Sequence, residues 1–131
     1  MAKVRKVEKD LHKIYLYKAD EFFKIMKYAQ TQNLWTAAGL NGIHCAISLC
    51  DSLTSFYLGE RSTSTRHEDV VVLLRKTRIK NIENKIKQVL SILSVKNLVE
   101  YESREFRKSD ASKIVTQVER LYLWAKEFLP K

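Results

Sequence analysis

Proline occurs once and glycine three times in this 131-residue sequence. Both residues punctuate turns, so their scarcity argues against many tight turns and for long helices. Cysteine occurs twice. Cys45 and Cys50 fall within one helical pattern, on different faces of that helix. A disulfide between them would break the helix, so both read as reduced core thiols of a cytoplasmic protein. The three histidines, His12, His44 and His67, include no pair at i, i+4 and have no cysteine cluster beside them, so no metal site is expected. A Gly-rich phosphate loop, a GxSxG elbow and a helical HExxH motif are all missing, and no cofactor is expected. Long apolar runs are missing too. Met1 to Lys13 is studded with Lys and Arg, unlike a signal peptide. Asn41, His44 and Asp51 interrupt the most apolar stretch, so no membrane span is expected. Acidic residues are outnumbered, 15 against 24 basic, which leaves a net charge of +9. That excess favours an anionic partner such as RNA or a nucleotide, although solubility alone accounts for it equally well.

What is present suits an all-α, up-and-down bundle of about five helices, one of them short. Apolar residues make up 45% of the chain and charged residues 30%, the balance of a globular domain rather than a disordered one. Residues 1–131 are enough for one domain whose core needs no disulfide or metal. Residues 1–12 read as a basic leader, frayed or partly helical. Helical spacing of Tyr15, Phe22, Met26 and Ala29 predicts a first helix over 14–30, with Asn33 as the N-cap of the next. The second helix, 34–58, is apolar on nearly every side and rich in small residues, so it is expected to be central and closely packed. Its many apolar faces suggest a second copy to cover them, hence a homodimer. Gly59 ends it, and 60–65 read as a loop. A short helix over 67–76 follows, with a strand left open by the consecutive valines Val70, Val71 and Val72. A fourth helix is expected over 81–96. A fifth runs over 111–129, capped by Ser109 or Asp110, with its seam at Ala111, Ile114, Val118, Leu121, Ala125 and Phe128.

Two segments carry candidate chemistry. In the first, Gly59 to His67, Arg61 and His67 flank a polar stretch at the start of a helix. An imidazole can take a proton from a hydroxyl while a guanidinium stabilises charge developing on a phosphodiester. Alternatively, His67 simply begins the helix and packs there. In the second, Lys96 to Phe106, continued helical spacing would place Lys96, Glu100 and Arg104 on one face and Asn97 and Tyr101 on the next. Such a surface offers donors to phosphate oxygens and an aromatic ring to stack on a base. A network fixing the connection between helices is the competing reading. Arg75, Arg78 and Lys80 form a basic run that either extends a path for an anion or sits solvated at helix ends.

In this order the segments resemble the HEPN superfamily. The resemblance rests on Ala37 to Asp51, on Leu58-Gly59 with His67 downstream, and on Lys96-Asn97-Leu98-Val99-Glu100-Tyr101-Glu102 with Arg104. It implies a helical bundle that often dimerises. Many such proteins are metal-independent ribonucleases of toxin–antitoxin or phage-defence systems, and some pair with a small nucleotidyltransferase. The family's active motif resembles an Arg, a following polar residue and a His a few positions on. Here Lys96-Asn97 stands in the Arg place and Tyr101 near the His. Tyrosine keeps its proton at neutral pH, and lysine lacks the bidentate fork of arginine. The resemblance therefore implies either a binding site with a degenerate motif, at Lys96, Asn97, Tyr101 and Arg104, or an endoribonuclease that uses Arg61 and His67 instead. A third reading is a structural bundle that binds another protein.

Overall fold

Helical periodicity in the sequence becomes helix over most of the chain. The structure is a computed structural model and describes residues 3–63, 67–100 and 103–131, with only the backbone of His67. The helices are α1 (His12–Thr31), α2 (Trp35–Leu58), α3 (His67–Lys76), α4 (Ile82–Ser94), the single-turn α5 (Lys96–Glu100) and α6 (Lys108–Phe128). Two short strands, β1 (Val4–Lys6) and β2 (Glu60–Ser62), pair antiparallel with Arg5 opposite Arg61. The fold is an all-α helical bundle carrying a tiny two-stranded sheet.

The central element is α2, against which α1, α3, α4, α5 and α6 all pack. Its small residues mark close approaches. A Cβ added at Gly42 would lie 2.8 Å from Ile114 Cγ2 and 3.2 Å from Met26 Sδ, and one at Gly39 would lie 2.6 Å from Phe106. The core joins Met26, Leu49, Leu53, Ile92, Ile114 and Leu121 in one cluster. Neighbouring helices of the same chain cover the several apolar faces of α2, so those faces do not call for a second copy. Both cysteines are free and buried. His44 is half-buried beside Phe22, with ring centroids 5.3 Å apart. Between α1 and α6, Phe23 stacks on Tyr122 and the Tyr122 hydroxyl donates to Asp20. Among the described residues no helix is long and apolar enough to cross a membrane.

The connections differ from the sequence-based expectation. The basic leader is not simply frayed, because Val4–Lys6 is a strand and Lys9–Leu11 a 3-10 turn. Glu60–Ser62, expected as loop, is the partner strand. Gly59 does end α2, in the left-handed region at φ 65, and its carbonyl accepts the Val7 N–H at 2.9 Å. Asn33 does not cap α2. It sits at φ 59 in the turn, and Leu34 takes the N-cap position without a side-chain hydrogen bond. Asn81 and Arg78 also adopt positive φ, which turns the basic run between α3 and α4 into a tight connection. Helix α3 has the expected bounds, and no strand forms through Val70 to Leu74. Glu68 and Asp69 in its first turn and Arg75 and Lys76 in its last complement the helix dipole. The fourth helix stops at Ser94 rather than continuing to Lys96. Helix α6 is capped by Arg107, not by Ser109 or Asp110. Asp110 lies third in that helix and accepts the Arg107 N–H at 2.9 Å, as the acidic residue of a capping box does.

Candidate functional site

The left-handed turn at Gly59 sends β2 back beside the last turns of α2. Arg61 on β2 thereby meets Asp51 on α2, with Nη2 3.7 Å from Oδ2. The Tyr15 ring lies 5.3 Å from the guanidinium and holds it by a cation–π contact. Val70 and Leu73 of α3 and Leu93 of α4 form an apolar wall. The helix break at Val95 starts α5 with Lys96 on the rim of the same space. The result is a cavity of about 180 Å³ whose lining also includes Thr54, Ser62 and Thr63. Pockets that engulf a drug-sized ligand run from roughly 300 to 1,000 Å³. This one is smaller.

Its charge is net positive, two cations against one carboxylate. Burial pushes the Asp51 carboxyl up to about 6, outweighing the pull of Arg61 and Lys18 in the opposite direction. The carboxylate is therefore ionised at neutral pH but easily protonated. Arg61 is incompletely satisfied. Its Nε is buried and has no hydrogen-bond partner among the described residues, and its contact to Asp51 is an ion pair too long for a hydrogen bond. Guanidinium donors are built to grip oxyanions, and Arg61 is a lining residue of the cavity with only a long ion pair to Asp51. The thiols do not join this chemistry. Burial, followed by the charge of Asp20, pushes Cys45 up to about 12, and burial, followed by that of Asp51, also raises Cys50.

Of the residues singled out from sequence, Arg61 and Lys96 come together here although they belonged to separate candidate segments. Arg61 stands on a strand rather than in a loop. His67 is the first residue of α3, and its side chain lies outside the described residues. Tyr101 also lies outside them. Asn97 is exposed on α5 and does not line the cavity. Arg104 does not continue a helical face from Lys96 and Glu100, because residues 103–107 are not helical. It pairs with Asp110 at 3.2 Å and braces the start of α6. Arg75 makes two 2.8 Å hydrogen bonds to Glu83 and ties α3 to α4. Arg78 and Lys80 are exposed on the connection, away from the cavity lining. Sequence reasoning missed Asp51 as a site residue. Its signal was a carboxylate inside an otherwise apolar helix, which there served to argue against a membrane span and to close the stretch that carries the resemblance. Set against protein families, characterised sequences and solved structures, the chain matches none.

Proposed function

We propose that this chain is a HEPN-like, cytoplasmic RNA- or nucleotide-binding protein that seats a phosphate group between Arg61 and Lys96. The observation that carries this reading is a cavity lined by both Arg61 and Lys96, with Asp51 as its one carboxylate. The net charge of +9 would draw a polyanion to the surface, and the cavity would hold one of its phosphates. By the resemblance, the protein would act in a toxin–antitoxin or phage-defence setting, with a small nucleotidyltransferase as a candidate partner. RNA binding measured across a salt series tests the site. Lys96→Ala and Arg61→Ala should each weaken binding and flatten the salt dependence by about one phosphate contact. Arg75→Ala should leave both unchanged, since that guanidinium is held by Glu83. Affinity indifferent to Arg61 and Lys96 would sink the proposal.

One observation favours an enzymatic version, a metal-independent endoribonuclease. The helix that begins with His67 walls the cavity containing Arg61, and Asp51 titrates near 6, within the range of proton-transfer groups. A base there would take the proton of a ribose 2′-hydroxyl, which attacks the adjacent phosphorus. The 5′-oxygen leaves with a proton, and a cyclic phosphate remains. Arg61 would stabilise the charge on the phosphoryl oxygens. RNA incubated with the protein in EDTA should then be cut, and His67→Ala should abolish the cutting with helical content intact. Cleavage that survives His67→Ala but disappears in Tyr101→Phe would move the active group to the segment after Lys96.

A further inference from the structure

The cavity lined by Arg61 and Lys96 also contains a group that opposes an anion there. Asp51 lines the same space, and its Oδ2 lies 3.7 Å from Arg61 Nη2. An anion gripped by that guanidinium therefore sits roughly 4–6 Å from the carboxylate, close enough for like charges to disfavour each other's ionised form. Little around Asp51 offsets this. Arg61 from β2 and Lys18 from α1 are the cations that act on it, and Lys96 reaches the cavity from α5. Lys18 is exposed and makes no ion pair with Asp51 among the described residues. Tyr15 of α1 contacts the guanidinium through its ring. From α3 and α4 the walls are Val70, Leu73 and Leu93, which carry no charge, and the buried Asp69 of α3 lies outside the lining. Cys50, beside Asp51 on α2, keeps its proton because burial raises that thiol well above neutrality. An anion that occupies Arg61 takes away the only ion-pair partner Asp51 has among the described residues.

We infer that Asp51 contacts the anion as a neutral carboxyl, so that each phosphate seated between Arg61 and Lys96 brings one proton into the cavity with it. The inference rests on the phosphate reading of that cavity. A protonated carboxyl is a donor as well as an acceptor. It can donate to a phosphoryl oxygen, and a repulsive neighbour then becomes a third contact beside the guanidinium and the ammonium. The proton comes from solvent and adds to one Asp51 oxygen, and no bond to phosphorus forms or breaks. Burial already raises this carboxyl to about 6 before any anion arrives. The negative charge of a bound phosphate raises it further, so the occupied site keeps its proton at neutral pH. Anion binding and proton uptake are then one linked equilibrium.

Titration calorimetry of the full chain with 2′-O-methyl oligouridine tests this. Without a terminal phosphate that probe has no group that titrates near neutrality, and it cannot be cut at its 2′-oxygen. Repeated in buffers of different ionisation enthalpy, the heats count the protons taken up. Wild type should take up close to one proton at about pH 7, where free Asp51 is almost fully ionised. Its affinity should fall about tenfold for each pH unit above about 6 and level off below. Asp51→Asn, a neutral isostere, should take up none and should bind roughly tenfold more tightly than wild type at about pH 7. The wild-type heats decide the matter even where the variant folds poorly. Binding that requires Arg61 but takes up no proton, or an uptake that persists in Asp51→Asn, would overturn the inference and leave the phosphate site standing. Binding indifferent to both Arg61→Ala and Lys96→Ala would remove the site and the inference together.

Discussion

Burial raises the pKa of one carboxylate, Asp51, whereas hydrogen bonds from Arg75 and Arg107 lower those of Glu83 and Asp110. Unfolded, Asp51 titrates near 4, and folded, burial raises it to about 6. Between these values the folded chain still holds a proton that the unfolded chain has released. The contribution of Asp51 to stability therefore falls as pH rises from about 4 to about 6 and levels off above, by an amount on the order of 3 kcal/mol. Asp51→Asn should flatten that part of the stability curve, as read from urea midpoints across the same pH range. An unchanged slope would mean that the carboxylate is better solvated than its place beside Arg61 implies. Sequence offered little warning of this, because burial depends on what packs against a residue and the packing partners of Asp51 come from distant segments. The partial exceptions are Arg61 and Lys96. Both were legible as candidates by residue type, but their meeting in one cavity was not.

Elements with a strong period were legible and those without one were not. Helix α2 combines apolar residues on all sides with small residues, and it is the buried centre of the bundle. The same small residues predict what enlarging them would do. Gly42→Ala gains helix propensity worth about 1 kcal/mol but drives a methyl group against Ile114 and Met26. Overpacking of this kind costs roughly 1–3 kcal/mol, so the net effect should be a loss of stability, visible as a lower thermal midpoint. The strands β1 and β2 escaped notice because three residues are too few to display alternation, and Val4 pairs with Ser62 far along the chain. Asn33 misled through chemistry. Asparagine favours both an N-cap and the left-handed conformation, and here the turn into α2 required the second. The break at Val95 was hidden within an unbroken apolar pattern, yet it is what starts α5 and places Lys96 at the cavity.

At the scale of the whole molecule, the bundle class followed from the scarcity of turn residues, while the use of the surface had to wait for three dimensions. The faces of α2 suggested self-association, but neighbouring helices of the same chain cover them. The small sheet has a consequence for amide exchange. It is held by few hydrogen bonds, among them Val7 N–H to the Gly59 carbonyl and Thr63 N–H to the Lys3 carbonyl, and the β1 residues are exposed. These amides should exchange with solvent through brief local detachment of β1, long before those of α2, which require the bundle to open. Arg61 is paired across that sheet, so an anion gripping Arg61 would bind only while β1 and β2 remain together. Ligand and strand closure are then thermodynamically linked. Adding RNA should slow exchange at Val7 and Thr63 in proportion to occupancy, with no such change in an Arg61→Ala protein, so two backbone amides distant from each other in sequence would report whether the cavity is filled.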